Sequence, residues 1–503
     1  MALLITFSLA VAVLALFLLL VRGRRKSLAA PGPTPWPLLG SLHLLGQYEV
    51  PFEALSALAR QYGEVYSITL GSTPCLVVNS FPRIREVLIT KGAQFGGRPD
   101  FMRFHALFGG DRNNSLALCD WSDLQKTRRS IARLYCSPRS ASSHYDVLDA
   151  VGTAEVGEFI RELARSSTPG QPYHVKPLIQ LACANMFTRY MCSARFPYGD
   201  PGFRQIVRIF DEIFWEINQG YAVDFLPWLK PAYSSHMRKI SRWAADIRQF
   251  ILARIIAEHR RRSAELATEL DADASNDEPR DFTDALLRHL ETDPNLNWEH
   301  IVFELEDFLG GHSAIGNLTM LTLAAAVRYP HVASRIQQEV DHVTEGGARP
   351  LSMFDKPNMP YTEATILETL RTASSPIVPH VATQDTDIAG YAVTKGTVVF
   401  LNNYELNTSP DYWIEPHRFM PERFLSPAGI VTKPEHFIPF STGKRSCVGQ
   451  RLVQSCTFLM VGATLQHFNI AAAPGESMRT IPACVAVPPD TFPFVFTPRH
   501  NAA

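Results

Sequence analysis

The chain has 503 residues, 46% of them hydrophobic, with 48 Lys plus Arg against 49 Asp plus Glu. A charge balance this even excludes a surface built for nucleic acid. The 8 cysteines fall without C-x-x-C pairs or histidines at zinc spacing, which excludes a disulfide framework and a zinc site and fits reduced cytosolic thiols around one large core.

Residues 2–21 are apolar, broken only by Thr6 and Ser8, and at about 20 residues are long enough to span a bilayer. Arg22, Arg24, Arg25 and Lys26 follow the run instead of preceding it, so the pattern predicts a retained anchor with the long C-terminal body in the cytosol. The prolines of Pro31-Gly32-Pro33-Thr34-Pro35-Trp36-Pro37 stiffen the chain that follows. The expected division is an anchor over 2–21, a basic and proline-rich hinge over 22–37, and one globular body over 38–503.

Val65–Val78 carries two β-branched runs around Gly71-Ser72-Thr73-Pro74, which predicts a hairpin. Phe95–Ser115, rich in glycine, asparagine and aromatics, reads as a long shaped loop. Trp121 then opens a predicted helix whose Lys126, Arg128, Arg129 and Arg133 read mainly as a solvated basic face. Aromatics crowd the stretch from Phe203 to Trp243, and Asp224–Leu229 marks a break between helices where Trp228 suits a membrane interface. The acidic segment from Asp271 to Asp281 reads as a solvated loop.

Trp298–Tyr329 has the pattern of one long core helix with Gly310 and Gly311 at its middle. Two glycines there cost about 1 kcal/mol each relative to alanine, so they predict a local widening or a ligand's close approach. Glu368 and Arg371 stand at i and i+3 on a further helix, and strand-like runs follow over 381–400 and 491–496. Taken together, the elements predict a mostly α protein with a minor β part.

The chain's most constrained stretch is Phe440-Ser441-Thr442-Gly443-Lys444-Arg445-Ser446-Cys447-Val448-Gly449, ahead of an apolar run from Leu452 to Phe468. Glycines leave the Cys447 sulfur unshielded, and Arg445 with a helix start is expected to lower its pKa and ready it for a metal. The pattern F-x-x-G-x-R-x-C-x-G resembles the proximal loop of the cytochrome P-450 enzymes. That resemblance implies haem b with Cys447 as the axial thiolate on iron, and a cytochrome P-450 fold preceded by one transmembrane helix. It also implies that Phe440, Arg445 and Gly449 shape the haem-binding loop and that His380 and Trp121 hold haem propionates. Where such enzymes carry an arginine four residues after the tryptophan, this chain has Gln125, for which Lys126 or Arg128 is a candidate substitute. Glu368, Arg371 and Arg423 are expected to form a buried supporting network.

The resemblance further implies that the helix at Gly310-Gly311-His312-Ser313-Ala314 handles dioxygen. Its members usually carry an acid and a threonine where this chain has Ser313 and Ala314, so protons would come from Ser313 with His312 and water, from a substrate hydroxyl, or not be needed. The segments F-G-G-R-P-D-F and L-F-G-G-D-R-N-N-S-L-A-L-C-D-W resemble the insect Spook-type branch, within the Halloween group that makes ecdysteroids. The implied activity is therefore a monooxygenase of a sterol precursor, early on the way from 7-dehydrocholesterol to the diketol, with dioxygen, an NADPH-linked reductase and membrane lipid as partners. The implied place is the cytosolic face of the endoplasmic reticulum rather than a mitochondrial membrane. A xenobiotic or fatty-acid monooxygenase, or a haem-thiolate isomerase of an oxygenated sterol, are the alternative readings.

Overall fold

The computed structural model describes residues 29–269, 279–373, 376–482 and 484–499. The expected anchor over 2–21 and residues 271–278 of the acidic segment lie outside the described residues; at the segment's end Asp281 is not solvated but buried, capping the helix Phe282–Thr292. Among those described, no helix is long and apolar enough to cross a membrane.

Helices dominate. Those that matter here are α1 (Met102–Leu107), α2 (Asp123–Cys136), α3 (Lys176–Cys192), α4 (Pro201–Asn218), α5 (Lys230–Phe250), α6 (Trp298–Leu309), α7 (His312–Arg328), α8 (Pro360–Ala373) and α9 (Gln450–His467). Their starts follow local chemistry. Ser122 caps α2 by accepting from the Gln125 N–H at 3.1 Å, Asp200 caps α4 by accepting from Phe203, and Asn297 and His300 form a reciprocal capping box on α6. Trp121 therefore stands just outside α2 instead of opening it.

At the centre lies α7, packed by α3, α8 and α9. Its residues from Ile315 to Ala326 are all buried, as expected for a helix apolar on every side. Of its hydroxyls, Thr322 donates to the Leu318 carbonyl, whereas those of Ser313 and Thr319 are buried without a partner among the described residues.

The strands are β1 (Val65–Leu70), β2 (Thr73–Val78), β3 (Pro172–Tyr173), β4 (His380–Val381), β5 (Val398–Leu401), β6 (Phe468–Ala472) and β7 (Phe494–Pro498). One sheet runs β1-β2-β5-β4, with β1 and β2 forming the predicted hairpin in the register Leu70↔Thr73. Gly71 turns it at a φ of +59°, a left-handed backbone suited to glycine. A second sheet runs β3-β7-β6. The run over 381–400 proves to be several short strands, including a small hairpin of Thr386–Ile388 with Tyr391–Val393.

Two expectations need correction. The loop over 95–115 contains α1 and a short turn of helix at Arg112–Asn114. Arg103, buried on α1, ties it to the α4–α5 linker by a double contact with Asp224 (2.7 and 2.9 Å) and a bond to the Glu216 carbonyl at 2.6 Å. Nor is 298–329 one helix. It breaks into α6 and α7 at Gly310 and Gly311, where Gly311, Ser313 and Ala314 donate to carbonyls three residues back. The break is thus a tightening, not a widening. What approaches the glycines closely is protein: a Cβ at 310 would stand 3.3 Å from the Phe210 ring and one at 311 would stand 3.1 Å from the Phe187 ring.

Candidate active site

Cys447 sits in a loop closed on itself, its N–H donating to the Phe440 carbonyl at 2.9 Å. Gly443 makes the shape possible, with a φ of +74° and a position where a Cβ would fall 2.3 Å from the Leu88 carbonyl oxygen. Cys447 is the one exposed residue among the eight cysteines, yet burial is the main influence on its thiol. The two facts agree if the sulfur lies deep in the protein and faces an internal hollow. At Gly449 a Cβ would meet Sγ only at an ordinary contact distance of 4.0 Å, so space alone does not demand glycine there.

Electrostatics correct the expected pKa. Burial pushes the Cys447 thiol up, opposed by the N–H groups of Gly449 and Gln450 and by the Arg129 charge. Arg445 is not among these influences because its guanidinium donates to the Ala117 and Cys119 carbonyls at 3.1 and 2.6 Å. A bound metal would supply the charge that stabilises a thiolate at such a site.

Arg445, His380 and Arg98 gather on one side of the hollow. Arg98 donates to the carbonyls of Ala117, Val378 and Pro379. Burial first, and the Arg445 charge second, hold its pKa well below the usual range. His380 is pushed down by burial and then by Arg98. The carboxylate at hand, Asp120, is spent on Arg112 at 3.0 Å and on the Arg98 backbone. Arg445 Nη1 and His380 Nε2 are buried with no partner among the described residues.

Two buried guanidiniums and an imidazole so placed lack an anion. His380 Nδ1 faces the Phe95 carbonyl at 2.7 Å, so Nε2 donates only as imidazolium, a form that a neighbouring carboxylate favours. An accessible thiol and a cradle of unpaired cations together fit an iron porphyrin bearing propionates.

Sequence reasoning missed Arg98. An arginine gripped between Gly96-Gly97 and Pro99 was its available signal. Trp121 stays half-buried, its backbone N–H bonded to the Gly96 carbonyl and Lys444 lying over its ring. Neither proposed substitute for the missing arginine serves. Lys126 is exposed, and Arg128 is buried in an ion pair with Glu304 at 3.0 Å and donates to the Asn114 carbonyl. Gln125 is turned to the Leu116 carbonyl. The basic face of α2 is thus only partly solvated, because Arg129 also turns inward to the Ser446 carbonyl beside Cys447.

The structure brings Glu368, Arg371 and Arg423 together. Arg371 meets Glu368 through two bonds of 2.7 Å, both side chains fully buried, and Arg423 adds a third at 3.2 Å. The Met420 N–H donates to Glu368 as well, and Arg371 donates to the Asn407 carbonyl at 2.6 Å. Charges removed from water this completely are tolerable only in so saturated a network.

At the α6–α7 break, Gly310, Gly311 and Ala314 keep partial exposure, whereas His312 and Ser313 are buried. The half-exposed positions therefore present a methyl group and bare backbone, with no acid or hydroxyl. The Ser313 hydroxyl is buried without a partner among the described residues. His312 cannot back it as a proton donor: Nδ1 is 2.5 Å from the Leu309 carbonyl, and burial pushes the ring's pKa down to about 4, leaving Nε2 an unprotonated acceptor near neutrality.

A thiol facing a hollow on one side, a cradle of cations at the rim and a tightened helical turn define a haem-thiolate protein. The family model for Cytochrome P450 matches residues 30–496, and the chain belongs to that family of haem-thiolate monooxygenases. It is 51% identical over 501 residues to "Cytochrome P450 307a1" of Drosophila melanogaster, covering 95% of this chain and 90% of that one. "Cytochrome P450 1B1" of Homo sapiens and of Mus musculus are 30% and 31% identical, covering 91% and 90% of this chain and 85% and 84% of their own. The strongest of these three matches is an insect protein, in keeping with the insect branch that the Phe95–Trp121 segment resembles.

Proposed function

We propose that this chain oxidises a sterol precursor of ecdysteroids, early on the way from 7-dehydrocholesterol, at the cytosolic face of the endoplasmic reticulum. The observation that carries the substrate class is the Phe95–Trp121 segment. Its wording resembles the Spook-type enzymes, and it folds into α1 and the strand of backbone that meets Arg98 and Arg445. In this reading Cys447 ligates iron, and Arg98, Arg445 and His380 hold the propionates. Bound haem supplies the reductive activation of dioxygen, with electrons from an NADPH-linked reductase.

The protein's own part is to bind, orient and exclude water. Glu368, Arg371 and Arg423 hold the chain that leads into the Cys447 loop. Above, the Gly310–Ala314 turn offers neither an acid nor a threonine, so a proton for the reaction would come from the substrate's own hydroxyl or an ordered water. A 3-hydroxysterol carries such a group. An isomerase of an oxygenated sterol, which needs no external proton delivery, is favoured as the second reading by Ala314 alone.

Membrane attachment is supported by apolar residues left in solvent around one corner: Trp36 (57% exposed), Leu38 (80%) and Trp228 (60%). They adjoin, because Gly71 bonds to the Leu39 carbonyl and abuts the Phe225 backbone next to Leu226. A residue of this kind with an amphipathic ring suits the headgroup region.

Optical titration of the ferric protein tests the substrate. 7-Dehydrocholesterol is expected to drive a saturable low-to-high-spin shift of the Soret band while lauric acid does not. A shift with lauric acid alone would overturn the sterol reading.

A further inference from the structure

Asp211 on α4 is buried and accepts from three side chains on two other helices. Lys176 Nζ reaches it at 2.5 Å, Gln180 Nε2 at 2.8 Å and Asn317 Nδ2 at 2.8 Å. Lys176 and Gln180 come from α3, and Asn317 from α7, one turn past Ser313 on the same face. Gly316 lets Gln180 in, since a Cβ there would lie 2.5 Å from its side-chain oxygen. All of these residues are nearly inaccessible. A lysine and a carboxylate this deep are costly unless each is fully engaged.

Two of the donors also reach beyond Asp211. Asn317 Nδ2 donates to the Ser313 carbonyl at 2.8 Å, and its Oδ1 accepts from the Val487 N–H at 2.8 Å. Lys176 Nζ donates to the Val487 carbonyl at 2.6 Å and the Pro488 carbonyl at 3.2 Å. Val487 is therefore gripped at both its N–H and its carbonyl by side chains that Asp211 aligns. The same amide that holds Val487 holds the backbone of the Gly310–Ala314 turn.

We propose that Asp211, Lys176 and Asn317 are positioning residues: a buried clamp that locks the Gly310–Ala314 turn to the Val487–Pro488 segment and so sets where the turn stands over the reacting centre. In a helix that has lost the acid and threonine able to anchor solvent, register is held from behind by a carboxylate on a different helix. The inference rests on the oxygenase reading for its consequence in turnover. Its structural part, the coupling of two segments far apart in sequence, stands on the hydrogen bonds alone.

The test uses the full-length holoprotein with Asn317→Leu and Asp211→Asn, both close to the original in volume. Hydrogen exchange of the ferric protein is followed in peptides covering 310–317 and 484–489. Exchange in both is expected to quicken together, several-fold, in each variant. With sterol and reductase, peroxide released per NADPH is expected to rise several-fold while the spin-shift Kd and the thiolate signature of the reduced carbonyl complex hold. Exchange that quickens in only one segment, or in neither, would overturn the clamp. Should a variant not fold, the wild type decides: under mild urea both peptides are expected to open with the same free energy, and separate openings would overturn the proposal. A wild type that makes no sterol product refutes the substrate reading without touching the exchange result.

Discussion

The two sides of the hollow are built on opposite principles. Below it, the Cys447 loop and the Glu368–Arg371–Arg423 network are over-determined: a fully buried carboxylate with two arginines and a backbone N–H on it, and a glycine where no side chain fits. Above it, the Gly310–Ala314 turn carries an unpartnered hydroxyl, an unprotonated histidine and a methyl group on its open face. Ligating a metal through sulfur demands one fixed geometry, which permits little variation. A substrate that brought its own hydroxyl, as the proposed sterol would, would demand less of the protein, and the upper side could then keep only its position.

The largest effect is expected below. Glu368→Ala leaves two buried guanidiniums without their counter-charge and should cost about 3–5 kcal/mol, read as the loss of recoverable holoprotein or a lowered urea midpoint. The corresponding removal above, Ser313→Ala, takes away a hydroxyl with no partner among the described residues and should leave stability nearly unchanged. Equal losses in the two variants would dissolve the contrast. Next comes Gly443→Ala, which forces a side chain into left-handed backbone against the Leu88 carbonyl. It should cost about 1–2 kcal/mol for the conformation alone and lower haem retention in a dilution assay.

The upper side carries raised carboxyls that give it a pH dependence. Burial raises Glu304 to about 7, Glu306 to about 8 and Asp307 to about 6, all on α6. A carboxyl raised in the folded state binds protons that the unfolded chain has already released, so its stabilisation is complete below the unfolded pKa and is lost as pH rises through the folded one. Histidines held neutral by burial, such as His312, add an opposing slope through the unfolded imidazole range. Against that background, each raised carboxyl still protonated should lower stability by up to about 1.4 kcal/mol per pH unit as pH rises through its folded pKa. Glu306→Gln should flatten the urea-midpoint profile there; an unaltered profile would remove Glu306 from the account.

The smallest effect sharpens the chemistry. Ser313→Asp with Ala314→Thr restores an acid and an alcohol, and product formed per NADPH with generic lipophiles should rise a few-fold while the native step slows. No change in either would mean that the departure at these positions carries no function.

The sequence made the lower side legible because its constraints are local: glycines, an arginine and a cysteine at fixed spacing within ten residues, with Glu368 and Arg371 one turn apart. The upper side was read less well. That Gly310 and Gly311 tighten the backbone follows from the Phe187 and Phe210 rings packed on them, which no spacing reveals. Arg128 read as solvated because its partner Glu304 lies 176 residues away, and the Asp211 cluster joins three helices and a loop. Arg98 escaped notice because its role depends on Arg445 and His380 arriving at the same place. The expected pKa of Cys447 failed for the same reason: proximity in sequence put Arg445 beside it, whereas folding turned that charge to Ala117 and Cys119 and brought Arg129 in its place.

The most direct test of the central claim, that Cys447 is the thiolate around which the fold is organised, is the absorption of the reduced carbonyl complex in the wild type and in Cys447→Ser. The wild type should show the red-shifted Soret band of thiolate-ligated haem, and Cys447→Ser should lose that band even where it retains haem. A thiolate band that survives the substitution would place the ligand on another cysteine and contradict the account.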